Sequence, residues 1–374
     1  MNIPARPVDL AACRALVDDL RAPNPKRYFV DATLSGVVGW WAYGAAVATS
    51  SLPMAALWIT VSCLAMFRVL AFIHELFHQQ QMHWFRGHWH VIAGIPLLLP
   101  LLLYLPVHQA HHSSRAYGTL QDGEYEQFAG RAYSTVTKLL ALNLLIPLAL
   151  VIRFGLLTPL SFAVPWVRNE LIPRFLHLSL RVPFKVSETS GKWQREHRFI
   201  EIACMFVAWA LCVLAAGTHS RVAIVWAVLI VGIAMLNTLR AAGATHLYDE
   251  HPGGRNAVEQ MKDSLNVEGN TLSTWLLCPV GLQYHALHHL APYVPYHHLE
   301  EAHRRLMARL PESSDYRRAT VNSVWKGWNR VATTMPVCDR LLAVGTLDVA
   351  STLQPELDNG QVPPRREEAT SARG

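Results

Sequence analysis

Three short histidine groups carry the chemistry of this chain: His74-Glu75-Leu76-Phe77-His78, His108-Gln109-Ala110-His111-His112 and His285-Ala286-Leu287-His288-His289. Neutral imidazole is the usual side-chain ligand for iron, copper and zinc. Residues three and four apart share a helix face, so HxxxH aims two rings one way and HxxHH aims three. Eight such rings are too many for one ion and suit two.

Other readings of the same letters are weaker. His74-Glu75-Leu76-Phe77-His78 is also a literal HExxH zinc-protease pattern, with Glu75 as general base. That reading leaves the other two groups idle, and no NxxPxxPLDG-like segment supplies its third ligand. Glu75-x-x-His78 and Glu300-x-x-His303 fit the ExxH pair of soluble di-iron bundles. Glu300, however, sits in an arginine-rich amphipathic segment, residues 299–310, that reads as solvated. His251-Pro252-Gly253-Gly254 matches the haem-binding tetrapeptide of cytochrome b5. Only roughly 30 residues separate it from the third histidine group, too few to fold around a haem, and it reads as a loop turn.

The elements that must position these histidines look like membrane helices. Hydrophobic residues make up 51% of the chain, charged ones only 16%, which is a membrane composition. Residues 33–67 hold no charge and are broken only at Ser50-Ser51-Leu52-Pro53, predicting a transmembrane hairpin whose second arm runs on to His74. Residues 202–218 and 222–239 predict a second hairpin, split by His219-Ser220-Arg221. Residues 91–107 are uncharged but carry Pro96, Pro100 and Pro106. Residues 139–152 and 154–167 are 14 residues each, divided by Arg153, and are expected as helices lying on the membrane surface.

The expected fold is an all-α integral membrane protein: four transmembrane helices in two hairpins, interfacial helices, and a cytoplasmic histidine-rich di-iron region. Residues 1–30 are expected as a cytoplasmic segment with an amphipathic helix, 31–310 as the membrane domain, and 311–374 as a cytoplasmic extension ending in a disordered tail. No signal-peptide apolar region opens the chain. Six cysteines are scattered without a CxxC, which points to neither a disulfide framework nor a thiolate site. The net charge of +6 comes from Lys and Arg lying almost wholly off the two short connections. The positive-inside rule makes that side cytoplasmic, so the basic balance reads as topology and not as nucleic-acid binding.

That topology returns the chain to the cytoplasm at His74, keeps His108–His112 there, and brings it back near Arg240, just ahead of His246 and the third group. All three groups then face one side. His219 falls on the other and is excluded. Arg68 is placed to snorkel to the headgroups.

With three boxes of the forms HX3–4H, HX2–3HH and (H/Q)X2–3HH around two hairpins, the chain resembles the membrane fatty acid desaturase family over roughly residues 30–310. The resemblance implies a non-haem di-iron centre, held by the box histidines and one more after the last span, where Thr245-His246-Leu247-Tyr248 stands. The implied ligands are His74, His78, His108, His111, His112, His246, His285, His288 and His289. Some members place an Asn four residues before the extra histidine; here that position is Ala242, and the nearest Asn is Asn237. The implied activity is O2-dependent desaturation of a fatty-acyl chain or lipid. Hydroxylation of a lipid or carotenoid is the alternative within the same chemistry. Uncharged helix faces would form the substrate slot. With no electron-transfer domain visible, the electrons would come from an external donor such as a ferredoxin or rubredoxin. The site would face the cytoplasm, in a bacterial inner membrane.

Around the boxes, Glu75, Asp122, Asp263 and Asn266 are candidates to orient ligand imidazoles, with Glu124 and Glu126 beside Asp122. His83, His88 and His90 read as an interfacial helix with Trp anchors. His297 and His298 read as a helix start, and His177 and His197 as surface groups.

Overall fold

The computed structural model describes residues 9–119, 121–125, 127–128, 131–180, 191–248, 254–269 and 271–335. The expectations for Glu126, the His251 turn, the His177 side chain and the tail beyond residue 335 fall outside the described residues. The described chain is built from helices, with one parallel pair of two-residue strands, β1 (Asn266–Val267) and β2 (Thr320–Val321).

Asn24 caps α2 (Pro25–Ala48), its Oδ1 accepting from the N–H groups of Lys26 and Arg27, with proline at the first helical position. The Thr49–Ser51 break falls where Ser50-Ser51-Leu52-Pro53 predicts it, and α3 (Leu52–His78) follows. The two helices run antiparallel: Arg68 pairs with Asp31, and Ser62 Oγ donates to Gly39 O at 2.9 Å. Gly39 permits this approach, because a Cβ there would sit 2.4 Å from Met66 Sδ. The Arg68 guanidinium is held by Asp31 at 2.6 Å.

Four helical runs are long and apolar enough to cross a membrane: α3, Thr135–Ala163 (α6), Arg195–Ala216 within α7 (Gly191–Ala216), and α8 (Ser220–Ala244). The number matches expectation but the membership does not. α2 is outside the set. The two runs expected on the membrane surface form instead one continuous helical stretch, α6. Arg153, which divides them in sequence, is buried: its guanidinium bonds Glu201 of α7 and, at 2.6 Å, Thr158 Oγ1. A charge so paired no longer marks an end. Large apolar side chains on α6 to α8, among them Leu144, Leu148, Val213 and Ile224, are exposed, as a lipid-facing surface requires.

α8 lies along α3 and α7. Between the spans lie α4 (His83–Trp89) and α5 (Leu101–His112). The latter is kept short by Pro100 before it and carries Pro106 inside. After α8 come α9 (Ala257–Asp263), α10 (His285–Leu290), α11 (Leu299–Arg309) and α12 (Val324–Thr334). Of these, α9, α10 and α11 pack with the amphipathic α1 (Leu10–Ala15): Cys13, Val17 and Leu20 join Met261, Leu287, Leu290, Ala302 and Tyr316 in a second apolar cluster, and Arg14 Nε donates to Leu290 O at 2.8 Å. The N-terminal segment therefore braces the helix that carries the third histidine box.

Candidate metal centre

Four elements deliver nine histidines to one place. His74 and His78 are on the last turn of α3, His108, His111 and His112 on the last turn of α5, and His285, His288 and His289 on α10. His246 follows α8 and is pinned by backbone bonds on either side, Leu247 N to Asp263 O and Leu265 N to Thr245 O, both 2.7 Å. The nine fall into two groups, His74, His78, His108, His112 and His288 in one, and His111, His246, His285 and His289 in the other. Within each, the candidate ligand atoms lie within 4.8 Å of one another. Helix geometry sorts them. In each box the residues four apart share a group, while in the second and third boxes the histidine three along, His111 or His288, turns to the other one.

Proton accounting shows what the inner nitrogens are for. His108 Nδ1 lies 2.8 Å from Glu124 Oε1, His111 Nδ1 2.9 Å from Asp122 Oδ2, and His289 Nδ1 3.0 Å from Gln260 Oε1. Each oxygen can only accept, so each Nδ1 carries a proton, which leaves Nε2 as the nitrogen available to a metal. His246 Nδ1 faces two hydroxyls, Tyr117 at 3.1 Å and Ser264 at 3.2 Å. Both spend their hydrogens elsewhere, on Asp263 and on Gln260 O, so His246 is again the Nδ1 donor. The inner ring nitrogens converge on one another: His246 Nε2 is 3.0 Å from His285 Nε2, and His78 Nε2 is 2.9 Å from His108 Nε2. His74 Nδ1 and Nε2 and His111 Nε2 are buried without a hydrogen-bond partner. Lone pairs converging out of water are what a cation would stabilise, and outward Nδ1–H bonds to carboxylates are the usual support of metal-held imidazole. The residues present fit a pair of metal ions.

Burial pushes the pKa of His108, His112, His246, His285, His288 and His289 well below the ordinary value, which keeps these rings neutral and ready to ligate. His111 goes the other way. Burial opposes its charge, but Asp122 and then Glu124 outweigh that and lift it to about 9.

Of the four orienting candidates, Asp122 bonds a box histidine directly. Glu75 does not: its carboxylate is 3.9 Å from His74 Nδ1, too far for a hydrogen bond. It accepts instead from Tyr28 Oη and, at 3.0 Å, from Tyr296 N–H. So tied, it is no general base for a metal-bound water, and the HExxH protease reading loses its base. Asp263 acts one step removed, holding Tyr117 Oη at 3.0 Å and Arg255 at 3.0 Å. Asn266 positions α10 through its backbone, Oδ1 accepting from Leu287 N–H at 3.0 Å. Gln260, Ser264 and Tyr117 were missed, since they reach the histidines only through the fold.

Other histidines lie apart from both groups. His88 contacts Thr33 Oγ1, His297 Nε2 accepts from Asn24 N–H, and His90 is buried. His303 bonds Tyr316 and Glu268, which removes the soluble ExxH pairing. Asn237 lines a cavity.

That cavity, of about 320 Å³, runs between α3, α5 and α8 to the histidines. Phe67, Leu70, Leu99, Leu103, Ile230 and Ile233 line its apolar length, and His74, His246 and His285 form part of its wall. An apolar chain laid in it would pass beside the ligand cluster.

The sequence matches the profile of the family described as fatty acid desaturase over residues 50–321. The chain belongs to the fatty acid desaturase family. It is also 37% identical over 314 residues to a ceramide hydroxylase of Caulobacter vibrioides (strain NA1000 / CB15N), a match covering 82% of this chain and 88% of that relative. Membership makes this desaturase-family chain an oxidoreductase of lipid metabolism. It also shifts the weight between the two outcomes expected from the sequence, because the relative hydroxylates where desaturation was the first expectation.

Proposed function

We propose that the chain is a membrane-bound di-iron lipid hydroxylase acting on a ceramide or a similar N-acylated lipid. The observation that carries the proposal is the cavity: an apolar slot walled at one end by His74, His246 and His285 sets a buried C–H bond beside two clusters of inward lone pairs. The ceramide hydroxylase relative favours oxygen delivery over desaturation. Desaturation, supported by the family description, is the second reading.

The nine histidines, His74, His78, His108, His112 and His288 in one set and His111, His246, His285 and His289 in the other, would hold the two irons. When bound, the iron pair supplies reducing equivalents to O2 and the power to cleave an unactivated C–H bond. The chain's part is positional. Asp122 and Glu124 fix the ring planes of His111 and His108, and Gln260 and Tyr117 fix those of His289 and His246. The apolar wall excludes water and holds the substrate chain in line. The histidine side would face the cytoplasm, where the flanking Lys and Arg cluster. There an external carrier such as a ferredoxin or rubredoxin would deliver electrons. The metal content of purified protein tests the centre: about two irons per chain are expected, while a single zinc without iron would contradict the di-iron assignment.

A further inference from the structure

The cavity has two chemically different ends, and the polar end coincides with the histidines. On α3, Phe67 lies at one end and His74, seven residues on and about 10 Å along the axis, at the other. On α8, Ile230 lies at the apolar end, and Asn237, Thr238, Arg240 and Ala241 follow toward His246. Arg240 is about 15 Å along the helix from Ile230, and six residues from His246. Glu124 and Gln127 join the wall at this end.

Arg240 is only partly exposed and, among the described residues, forms no ion pair. Its two hydrogen bonds, from Nε and one terminal nitrogen, go to Asn237 Oδ1 at 3.3 and 3.1 Å. The other three of its five N–H donors are uncommitted. Gln127 donates from Nε2 to Gly123 O at 3.1 Å and presents its carbonyl oxygen as an acceptor. Arg240 and Glu124 bring one charge of each sign to this end, the carboxylate also bonded to His108 Nδ1. An anionic head would meet the Glu124 carboxylate and a cationic one the guanidinium, whereas an uncharged head with both donors and acceptors satisfies both.

We propose that Arg240, Asn237 and Gln127 form a headgroup site for an uncharged lipid head bearing amide and hydroxyl groups, so that the oxidised carbon lies close to the head and not in mid-chain. This rests on the lipid-hydroxylase reading above and adds the residues that hold the head and the position of reaction. The acyl tail extends toward Phe67, Leu70 and Ile230.

The test uses iron-loaded protein in phosphatidylcholine nanodiscs, supplied with O2 and a reduced ferredoxin as electron donor, with three probes: a ceramide labelled on its acyl chain, a free fatty acid of the same length, and the nanodisc phospholipid itself. Binding is measured for wild type, Arg240→Ala, Arg240→Lys and Asn237→Ala, with iron content as the folding control. Any hydroxyl is located by tandem mass spectrometry. Wild type is expected to prefer the ceramide. Arg240→Ala should weaken that binding about tenfold while retaining iron, Arg240→Lys should recover part of the loss, and oxidation should fall near the head. Unchanged ceramide binding in iron-replete Arg240→Ala, preference for the fatty acid or phospholipid, or a mid-chain hydroxyl would overturn the proposal. If Arg240→Ala loses iron, the exposed Asn237→Ala carries the same readout. Arg240-dependent binding without oxidation would leave the headgroup site standing and remove the hydroxylase reading. Oxidation indifferent to Arg240 would do the reverse.

Discussion

His111 Nδ1 lies 2.9 Å from Asp122 Oδ2, and neither side chain touches solvent. The carboxylate also accepts from Gly118 N–H at 3.1 Å, so the loop after α5 is folded around the charge that aims this ring. Asp122→Asn keeps the volume but removes the charge. Iron affinity should fall about 10–100-fold, by the usual cost of losing an outer-sphere carboxylate, as read by chelator competition. Wild-type affinity in this variant would show that Asp122 does not orient a ligand.

The same pair sets a pH dependence. With its pKa lifted to about 9, His111 in the metal-free protein carries a proton at neutral pH. Metal can take its Nε2 only as that proton leaves. Apparent affinity at the four-histidine group should therefore rise about tenfold per pH unit up to about 9 and then level off. Titration of apo-protein at several pH values checks this; a flat profile between pH 7 and 9 would contradict it.

The sorting of boxes into two groups makes ligand losses separable. His285→Ala takes one ring from the four-histidine group and none from the five-histidine group. Bound iron should drop from about two toward one per chain, with turnover abolished and the protein still inserted. Elemental analysis of the purified variant decides between this and simultaneous loss of both ions.

Glu201 holds Arg153 and, at 3.2 Å, Arg168 between α6 and α7. Glu201→Ala leaves Arg153 buried without its counter-charge, which should cost about 3–5 kcal/mol. A lowered melting temperature in detergent is expected, with the iron site unaltered in its remaining folded fraction. Replacing both partners with leucine should recover much of the loss, since a well-packed apolar pair avoids the desolvation cost.

Gly243 meets Trp328 where α12 crosses α8: a Cβ there would stand 1.1 Å from Trp328 Cδ1. Trp328 Nε1 also donates to Leu239 O at 3.0 Å. Gly243→Val should push α12 away, cost about 1–3 kcal/mol by overpacking, and disturb His246 three residues later. Thermal stability and iron content should fall together.

What was legible in the sequence was whatever a single helix encodes. The i, i+3, i+4 spacing within each box pointed to eight histidines, and His246 was added only by the family resemblance. Asp122 was readable because it lies eleven residues from its histidine. Gln260 and Tyr117 were not, because they meet His289 and His246 only once α9 and the loop after α5 have folded together. Glu75 was misread for a related reason: its partners Tyr28 and Tyr296 come from opposite ends of the chain. Arg153 likewise looked like a boundary in an apolar run until Glu201, 48 residues on, was seen to neutralise it.

The central claim is tested most directly by growing cells that express the wild-type chain or His285→Ala under 18O2 and analysing their lipids by mass spectrometry. The account predicts a lipid that gains one labelled oxygen atom with wild type and not with the variant. A product lacking two hydrogens and carrying no label would contradict hydroxylation and make the chain a desaturase. Identical lipids in both strains, with ceramide and iron supplied, would contradict the assignment of the histidine cluster as a lipid-oxidising centre.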